Sequence, residues 1–170
     1  DGKEYPVDLK SFTKVKNIDI SLSNVTSLIL PNSTLNSLRI NGSSLREFSM
    51  SNQPLLKTID FTGCNKLTKI NIVNCNSLES LVFDSVKVVQ SINIQSCNSI
   101  KSITIKKCNR LINILISDTD KLEKVVIESL KNENLSINPC FDSKIETKGS
   151  IADVSPNIPN ANVADSFKYT

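Results

Sequence analysis

The sequence predicts an all-β fold, a right-handed parallel β-solenoid with two short strands in each coil of about 20–22 residues and little or no helix. Three observations lead to this prediction. An apolar motif of the form Φ-x-x-Φ-x-Φ recurs eleven times between residue 15 and about residue 130. The last two apolar positions of each copy alternate with a polar one, as in a strand with one buried face. The segments between copies are rich in Asn and Ser, which favour turns.

The copies of the motif follow one another at a nearly constant spacing, ten residues for the first three steps and eleven for the next seven. One short strand and one turn cannot enclose an apolar core alone, so two copies are expected to form one coil and successive coils to stack. The stack should contain between five and six coils. The copies open at Val15, Val25, Leu35, Leu45, Leu56, Leu67, Leu78, Val89, Ile100, Leu111 and Leu122.

An eleven-residue period is also compatible with a right-handed coiled coil, in which the apolar seam recurs every 3.67 residues. The pairs Ile59/Phe61 and Ile70/Ile72 argue against it, because a step of two residues places side chains on one face of a strand and not on one face of a helix. Turn-forming segments such as residues 31–34 and 41–44 also disfavour helix interiors. The repeats are therefore interpreted as strands.

The repeats resemble a known family. Residues 56–66, LKTIDFTGCNK, and residues 67–78, LTKINIVNCNSL, resemble leucine-rich repeats, with a nearly complete L-x-x-L-x-L-x-x-N/C core. They are similar in particular to the short two-strand repeats of Bacteroidota surface proteins and their phages. The resemblance covers residues 15 to about 130 and implies a surface or virion protein. An eleven-residue repeat has no room for the outer helix of ordinary leucine-rich repeats, so a straight solenoid is expected instead of a horseshoe.

The chain is expected to divide into an N-terminal cap at residues 1–14, a repeat solenoid at residues 15–142 and an extended C-terminal arm or linker at residues 143–170. The cap contains Tyr5, Val7 and Leu9, which can cover the first coil. The arm contains Pro156 and Pro159 and loses the repeat pattern. We expect it to dock on the solenoid or on a neighbouring subunit. Because the chain begins with Asp1 and not Met, it is either a processed product or part of a longer protein.

Composition restricts the chemistry. The 170 residues include no His, which excludes Ser-His and Cys-His nucleophile pairs and zinc sites of the Cys/His type. The protein is therefore predicted not to be an enzyme and to bind no metal or cofactor. The net charge is +3, and the basic residues are scattered, so no nucleic acid partner is expected. No apolar run is long enough to cross a bilayer, so no membrane insertion is expected.

Four cysteines occupy the ninth position of their repeats, Cys64, Cys75, Cys97 and Cys108. Other repeats place Ser or Thr there, which indicates that these cysteines are free, buried thiols that fill space. A disulfide between Cys75 and Cys97, which lie 22 residues apart, is the alternative, and a metal or redox role is the least supported. Cys140 makes the total odd.

Outward-facing side chains should stack into two columns, one on each side of the solenoid, and these columns carry the candidate interaction face. We expect a protein partner or a surface glycan to contact this mostly polar, neutral surface. The candidate residues are Arg39, Asp60, Asn71, Asn93 and Thr104.

The predicted function is a non-enzymatic structural or adhesive module, a rigid repeat solenoid that binds protein or glycan. The family resemblance adds an extracellular, cell-surface or virion location, where the arm could contact other subunits. The alternative is an intracellular leucine-rich-repeat scaffold for protein interactions, which free cysteines would suit. A more distant alternative is a glycan-active β-helix enzyme that uses residues such as Asp60 and Lys69.

Overall fold

The computed structural model describes residues 3–31, 34–128, 136–138 and 144–148. Within them the chain forms fourteen strands and no helix, which confirms the predicted all-β class. The strands are β1 (Tyr5–Asp8), β2 (Asn17–Asp19), β3 (Val25–Ile29), β4 (Ser37–Arg39), β5 (Glu47–Ser51), β6 (Thr58–Asp60), β7 (Lys69–Val73), β8 (Ser80–Asp84), β9 (Ser91–Gln95), β10 (Ser102–Lys106), β11 (Asn113–Ser117), β12 (Lys124–Glu128), β13 (Ser136–Asn138) and β14 (Lys144–Lys148).

Successive strands alternate between two sides of the molecule, so that each coil contributes one strand to each side. Strands β6, β8, β10, β12 and β14 form one parallel sheet, and β5, β7, β9, β11 and β13 form the other. Near the N-terminus, β2 pairs with β4 and β1 pairs with β3, both in parallel. The result is a β-solenoid of about six coils with two short strands in each, as the repeats predict.

Equivalent positions of the repeat stack directly on one another. Ile103 of β10 pairs with Leu81 of β8 and with Val125 of β12, each 22 residues away. The first coil is shorter, because Asn17 of β2 pairs with Ser37 of β4, 20 residues on. A register without slips along β6 to β14 therefore aligns both the inward and the outward side chains of neighbouring coils.

The core is a continuous stack of inward-facing aliphatic side chains with a short run of aromatic rings. Leu67, Ile72 and Ile105 are completely buried, as the motif predicts for its apolar positions. The ring of Phe61 stacks on that of Phe83, with centroids 4.9 Å apart, and meets the ring of Phe48 edge-on at 5.3 Å. Burial of these side chains supplies the main stabilisation of the coils.

Within the repeats, the corner after a strand is built in the same way wherever the structure describes the eighth residue. The eighth residue of the repeat has a positive φ, as at Gly63 (73°), Asn74 (55°) and Lys107 (52°). Its N–H donates to the next coil, for example from Gly63 to the carbonyl oxygen of Asp84 at 3.1 Å. This left-handed residue turns the chain inward, so that the ninth residue, such as Cys64 or Cys75, lies buried at the corner.

The two ends of the solenoid are covered differently. At the N-terminus, β1 adds to β3, and the Glu4 carboxylate bonds both Arg46 and Lys66. At the other end, β14 pairs in register with all five residues of β12. Strand β14 lies in the segment that is expected to be an arm. Residues 144–148 of that segment form a further rung of the solenoid. Residues 149–170 lie outside the described residues, and the boundaries of cap, solenoid and arm stay a prediction.

Candidate interaction surfaces

The solenoid presents two outward surfaces, which we call the odd-strand face and the even-strand face. The odd-strand face carries a column formed by Ser49, Asn71, Asn93 and Leu115, one residue from each of β5, β7, β9 and β11. The Asn71 side-chain amide donates to Ser49 Oγ at 3.3 Å, and the Asn93 amide donates to Asn71 Oδ1 at 2.7 Å. These bonds connect three coils and hold the polar groups in fixed positions.

The chain of amide bonds on the odd-strand face stops at Asn93. The next residue in the column is Leu115, which offers no donor, and Asn93 Oδ1 is buried without a partner among the described residues. Buried polar groups are rarely left without a hydrogen bond, because the lost solvation is not recovered. The column therefore contains one defect, at the junction of β9 and β11.

The even-strand face carries a more varied column. Asp19 and Arg39 are adjacent in register, with 3.8 Å between Asp19 Oδ2 and Arg39 Nε. Asp60 Oδ1 accepts a hydrogen bond from the Thr62 N–H at 2.8 Å. Farther along the face, Thr104 lies between Val82 and Val126. The predicted candidates thus divide between two faces: Arg39, Asp60 and Thr104 on this one, and Asn71 and Asn93 on the other.

A groove opens on the even-strand face where the sheet is interrupted. Strands β4 and β6 lie against each other but form no ladder, since each belongs to a separate sheet. A cavity of about 590 Å³ lies at this interruption, and a shallower one of about 410 Å³ continues from it towards β8. Both cavities are lined by Thr58 and Asp60, so they form one groove. The residues that line its deeper part include Asn36, Ser37, Arg39, Lys57, Thr58 and Asp60.

The interruption coincides with the change in repeat spacing. The coil before it advances by 20 residues between stacked strands, from Asn17 to Ser37, and the coil directly after it by 22, from Thr58 to Ser80. In the sequence, the change from ten-residue to eleven-residue steps marks the position of the interruption. It does not identify Lys57 and Asn36 as groove residues.

The four described cysteines are free and buried, as predicted. Burial raises the pKa of the Cys64 thiol and raises that of Cys108 to about 12. A hydrogen bond with the Cys97 thiol, together with burial, raises the pKa of Cys75. These thiols donate to carbonyl oxygens, as Cys64 does to Ile40 at 3.1 Å. The raised pKa values keep the thiols of Cys64, Cys75 and Cys108 protonated at neutral pH, and since the thiolate is the reactive form, these three side chains serve packing.

Among the described residues, no group of three or more His, Cys, Asp or Glu side chains is arranged to hold a metal ion. The same part of the chain contains no helix that is long and apolar enough to span a membrane. The fold places the protein in the class of parallel β-solenoids. Comparison with known proteins goes no further, since no family model, curated protein or solved structure matches the chain.

Proposed function

We propose that the protein is a non-enzymatic interaction module, a rigid solenoid that binds a protein or a glycan through its strand faces. The observation that carries the proposal is the column on the odd-strand face. There Ser49, Asn71 and Asn93 project from successive rungs and are fixed to one another by side-chain hydrogen bonds. Polar groups that are already fixed lose little conformational entropy when a ligand binds, which favours recognition by this face.

The spacing of the column supports the same proposal. Neighbouring rungs of a parallel sheet lie about 4.8 Å apart, so the column offers an amide or hydroxyl group at regular intervals. Lys69, at the edge of the same face, pairs with Glu47 at 3.7 Å, and the centre of the face is uncharged. A neutral, ordered polar surface fits hydroxyl groups of a sugar or the polar surface of a protein.

The test is binding of the labelled native chain to a panel of immobilised glycans and to intact cells or virions of its source. The variant Asn71→Ala/Asn93→Ala removes the odd-strand column, and Ser102→Ala is the matched change on the even-strand face. We expect the first variant to lose at least about tenfold in affinity and the second to bind as the native chain. Unaltered circular dichroism establishes that both are folded. Equal binding by all three, or no binding by the native chain, would contradict the proposal.

We further propose that the module is displayed on a bacterial surface or a phage virion. The support is the resemblance of its repeats to those of such proteins. Antibodies against the chain should label intact cells or purified virions without permeabilisation. Labelling that requires permeabilised cells would instead favour an intracellular scaffold for protein interactions.

The intracellular alternative has one observation in its favour. The described part of the chain holds four cysteines, and all are free. Proteins of oxidising compartments usually pair their cysteines, whereas reduced thiols are common inside cells. Cys75 and Cys97 are stacked in neighbouring coils and remain unpaired even so.

A further inference from the structure

We infer that strands β1 to β4 form an N-terminal unit that opens as a whole, while the coils that begin with β5 and β6 stay folded. The boundary between β3 and β5 and between β4 and β6 is called the unit interface below. Opening there uncovers the first edges of both five-stranded sheets. The inference goes beyond the proposed function, because it concerns a movement built into the fold and not a ligand.

The strand ladders are interrupted on both faces at the same level. Strands β4 and β6 form no ladder on the even-strand face, and β3 and β5 form none on the odd-strand face. On the far side of this level each sheet continues through five strands. The stability of a repeat protein is approximately a sum over its repeats and the interfaces between them, so an interface without ladders on either side is a weak one.

The hydrogen bonds that do cross the unit interface lie at or beside its corners. Those of the backbone include Gly42 N–H to the Thr62 carbonyl at 2.8 Å, Ser44 N–H to Ser23 at 3.0 Å and Arg46 N–H to Thr26 at 3.1 Å. A side chain adds another, since Gln53 Oε1 accepts from the Leu35 N–H at 2.8 Å. Gln53 is only 4% exposed, so this bond is protected from water. One buried side chain thus supplies part of what a ladder would provide.

The apolar side chains of the N-terminal unit are less buried than those of the later coils. Six of them pack against the core while only partly buried, namely Val7, Leu9, Val15, Ile20, Leu28 and Leu30. The stacked rings of Phe61 and Phe83 lie beyond the unit interface, and both are completely buried. Since stabilisation grows with the apolar area removed from water, the N-terminal unit should open at a lower cost than the rest.

Glu4 holds the N-terminal unit closed from outside. It directly precedes β1, and its carboxylate bonds Arg46 at 2.8 Å and also Lys66, both beyond the unit interface. The side chains of Arg46 and Lys66 are 63% and 49% exposed. Exposed ion pairs contribute little to stability, so this contact can be released without uncovering a buried charge.

Two cysteines report opening at different levels of the stack. The Cys64 thiol donates across the unit interface to the Ile40 carbonyl oxygen at 3.1 Å. Cys108 occupies the same repeat position two coils later and donates to the Phe83 carbonyl oxygen at 3.6 Å. Both side chains are completely buried. Opening of the N-terminal unit uncovers Cys64 and leaves Cys108 covered.

The test is labelling of the folded full chain with N-ethylmaleimide, followed by peptide mass spectrometry at each cysteine. We expect Cys64 to react at least about tenfold faster than Cys108. Gln53→Met removes the acceptor of the Leu35 N–H and should speed labelling of Cys64 at least about fivefold. Glu4→Gln should speed it about threefold, since the pairs it removes are exposed. Neither variant should change the rate at Cys108.

Glu79→Gln is the matched control. It also removes an exposed ion pair, that of Glu79 with Lys57 at 3.3 Å, but both partners lie beyond the unit interface. Its labelling rates should equal those of the native chain. Equal rates at Cys64 and Cys108 in the native chain would overturn the inference, and so would variants at Gln53 and Glu4 that speed both cysteines alike or neither.

Hydrogen exchange at increasing urea concentration distinguishes opening as a unit from gradual fraying of the end. The Ile20 N–H bonds Arg39 within the N-terminal unit, and the Gly42 N–H bonds Thr62 across the unit interface. We expect both amides to lose protection at the same urea concentration, below that at which the Ser96 N–H does. Loss at Ile20 well before Gly42 would show that the end frays coil by coil and would overturn the inference.

Discussion

At the level of single residues, the buried Oδ1 of Asn93 is the most informative atom on the odd-strand face. In its neighbour Asn71 the side-chain NH2 group donates to Ser49 Oγ, and Oδ1 accepts from the Asn93 side chain. Asn93 lacks the second bond because Leu115 follows it in the column. A buried acceptor without a partner costs about 1–3 kcal/mol.

Leu115→Asn is therefore expected to stabilise the protein, since the new amide can donate to Asn93 Oδ1 as Asn93 itself donates to Asn71. The gain should be about 1 kcal/mol in the free energy of unfolding, because the smaller Asn side chain gives up part of the apolar packing of Leu115. Urea denaturation measures it. Leu115→Ala removes the same apolar packing without adding a donor and should be less stable than the native chain. A less stable Leu115→Asn would show that the acceptor is satisfied in another way.

Residue types predict the inward positions well and the corner positions poorly. The motif alone assigns Ile59 and Phe61 to the core, and both are buried. The eighth residue of the repeat has a left-handed backbone whether it is Gly63, Asn74 or Lys107, and only the first two types favour that conformation. The stacked hydrogen bonds of the neighbouring coils impose it on Lys107, and this long-range cause has no local signal.

At the level of elements, the aromatic run joins β5, the residue directly after β6, and β8 across the centre of the solenoid. Phe61 is completely buried and contacts the rings of both Phe48 and Phe83. Phe61→Ala should lower the free energy of unfolding by about 3–5 kcal/mol, since it leaves a cavity between two rings. Phe12→Ala, at a residue 54% exposed, should change it by about 0.5 kcal/mol or less. Similar losses in both variants, measured by chemical denaturation, would contradict this account of the core.

The interruption between β4 and β6 shows what strand prediction from the repeat can and cannot provide. The motif correctly assigns both strands and the stacking of Asp60 on Val82. It does not predict that β4 and β6 fail to pair, because pairing depends on how neighbouring coils fit in three dimensions. The groove, with Lys57 at its edge, lies where the ladder is missing and has no local sequence motif of its own.

At the level of the whole molecule, Glu4 attaches the N-terminal segment to later coils through Arg46 and Lys66. Hydrogen bonds from Lys66 and Arg46 lower the pKa of Glu4 below its ordinary value of 4.5. The stabilisation is therefore complete above the pKa of the unfolded chain and is lost as the pH falls through the lower folded-state value.

The Tyr5 N–H donates to the carbonyl oxygen of Asn24 at 3.2 Å. We expect its protection against hydrogen exchange to stay constant from neutral pH down to about 5 and to decrease in more acidic solution. The protection factor, corrected for the intrinsic exchange rate, is the measurement. Glu4→Gln should remove this pH dependence while leaving the protection of Ile103, in the middle of the stack, unchanged. A native chain whose Tyr5 protection does not respond to acid would show that the attachment does not depend on Glu4.

The alternation of successive repeats between two faces also constrains how a gene for this protein can change in length. Duplication or loss of two repeats adds or removes one complete coil, keeps the reading frame and leaves every downstream strand on its original face. An odd number of repeats also keeps the reading frame, but it moves every downstream strand to the opposite face. Asn93 would then no longer stack on Asn71. Inherited length variation should therefore occur in steps of whole coils.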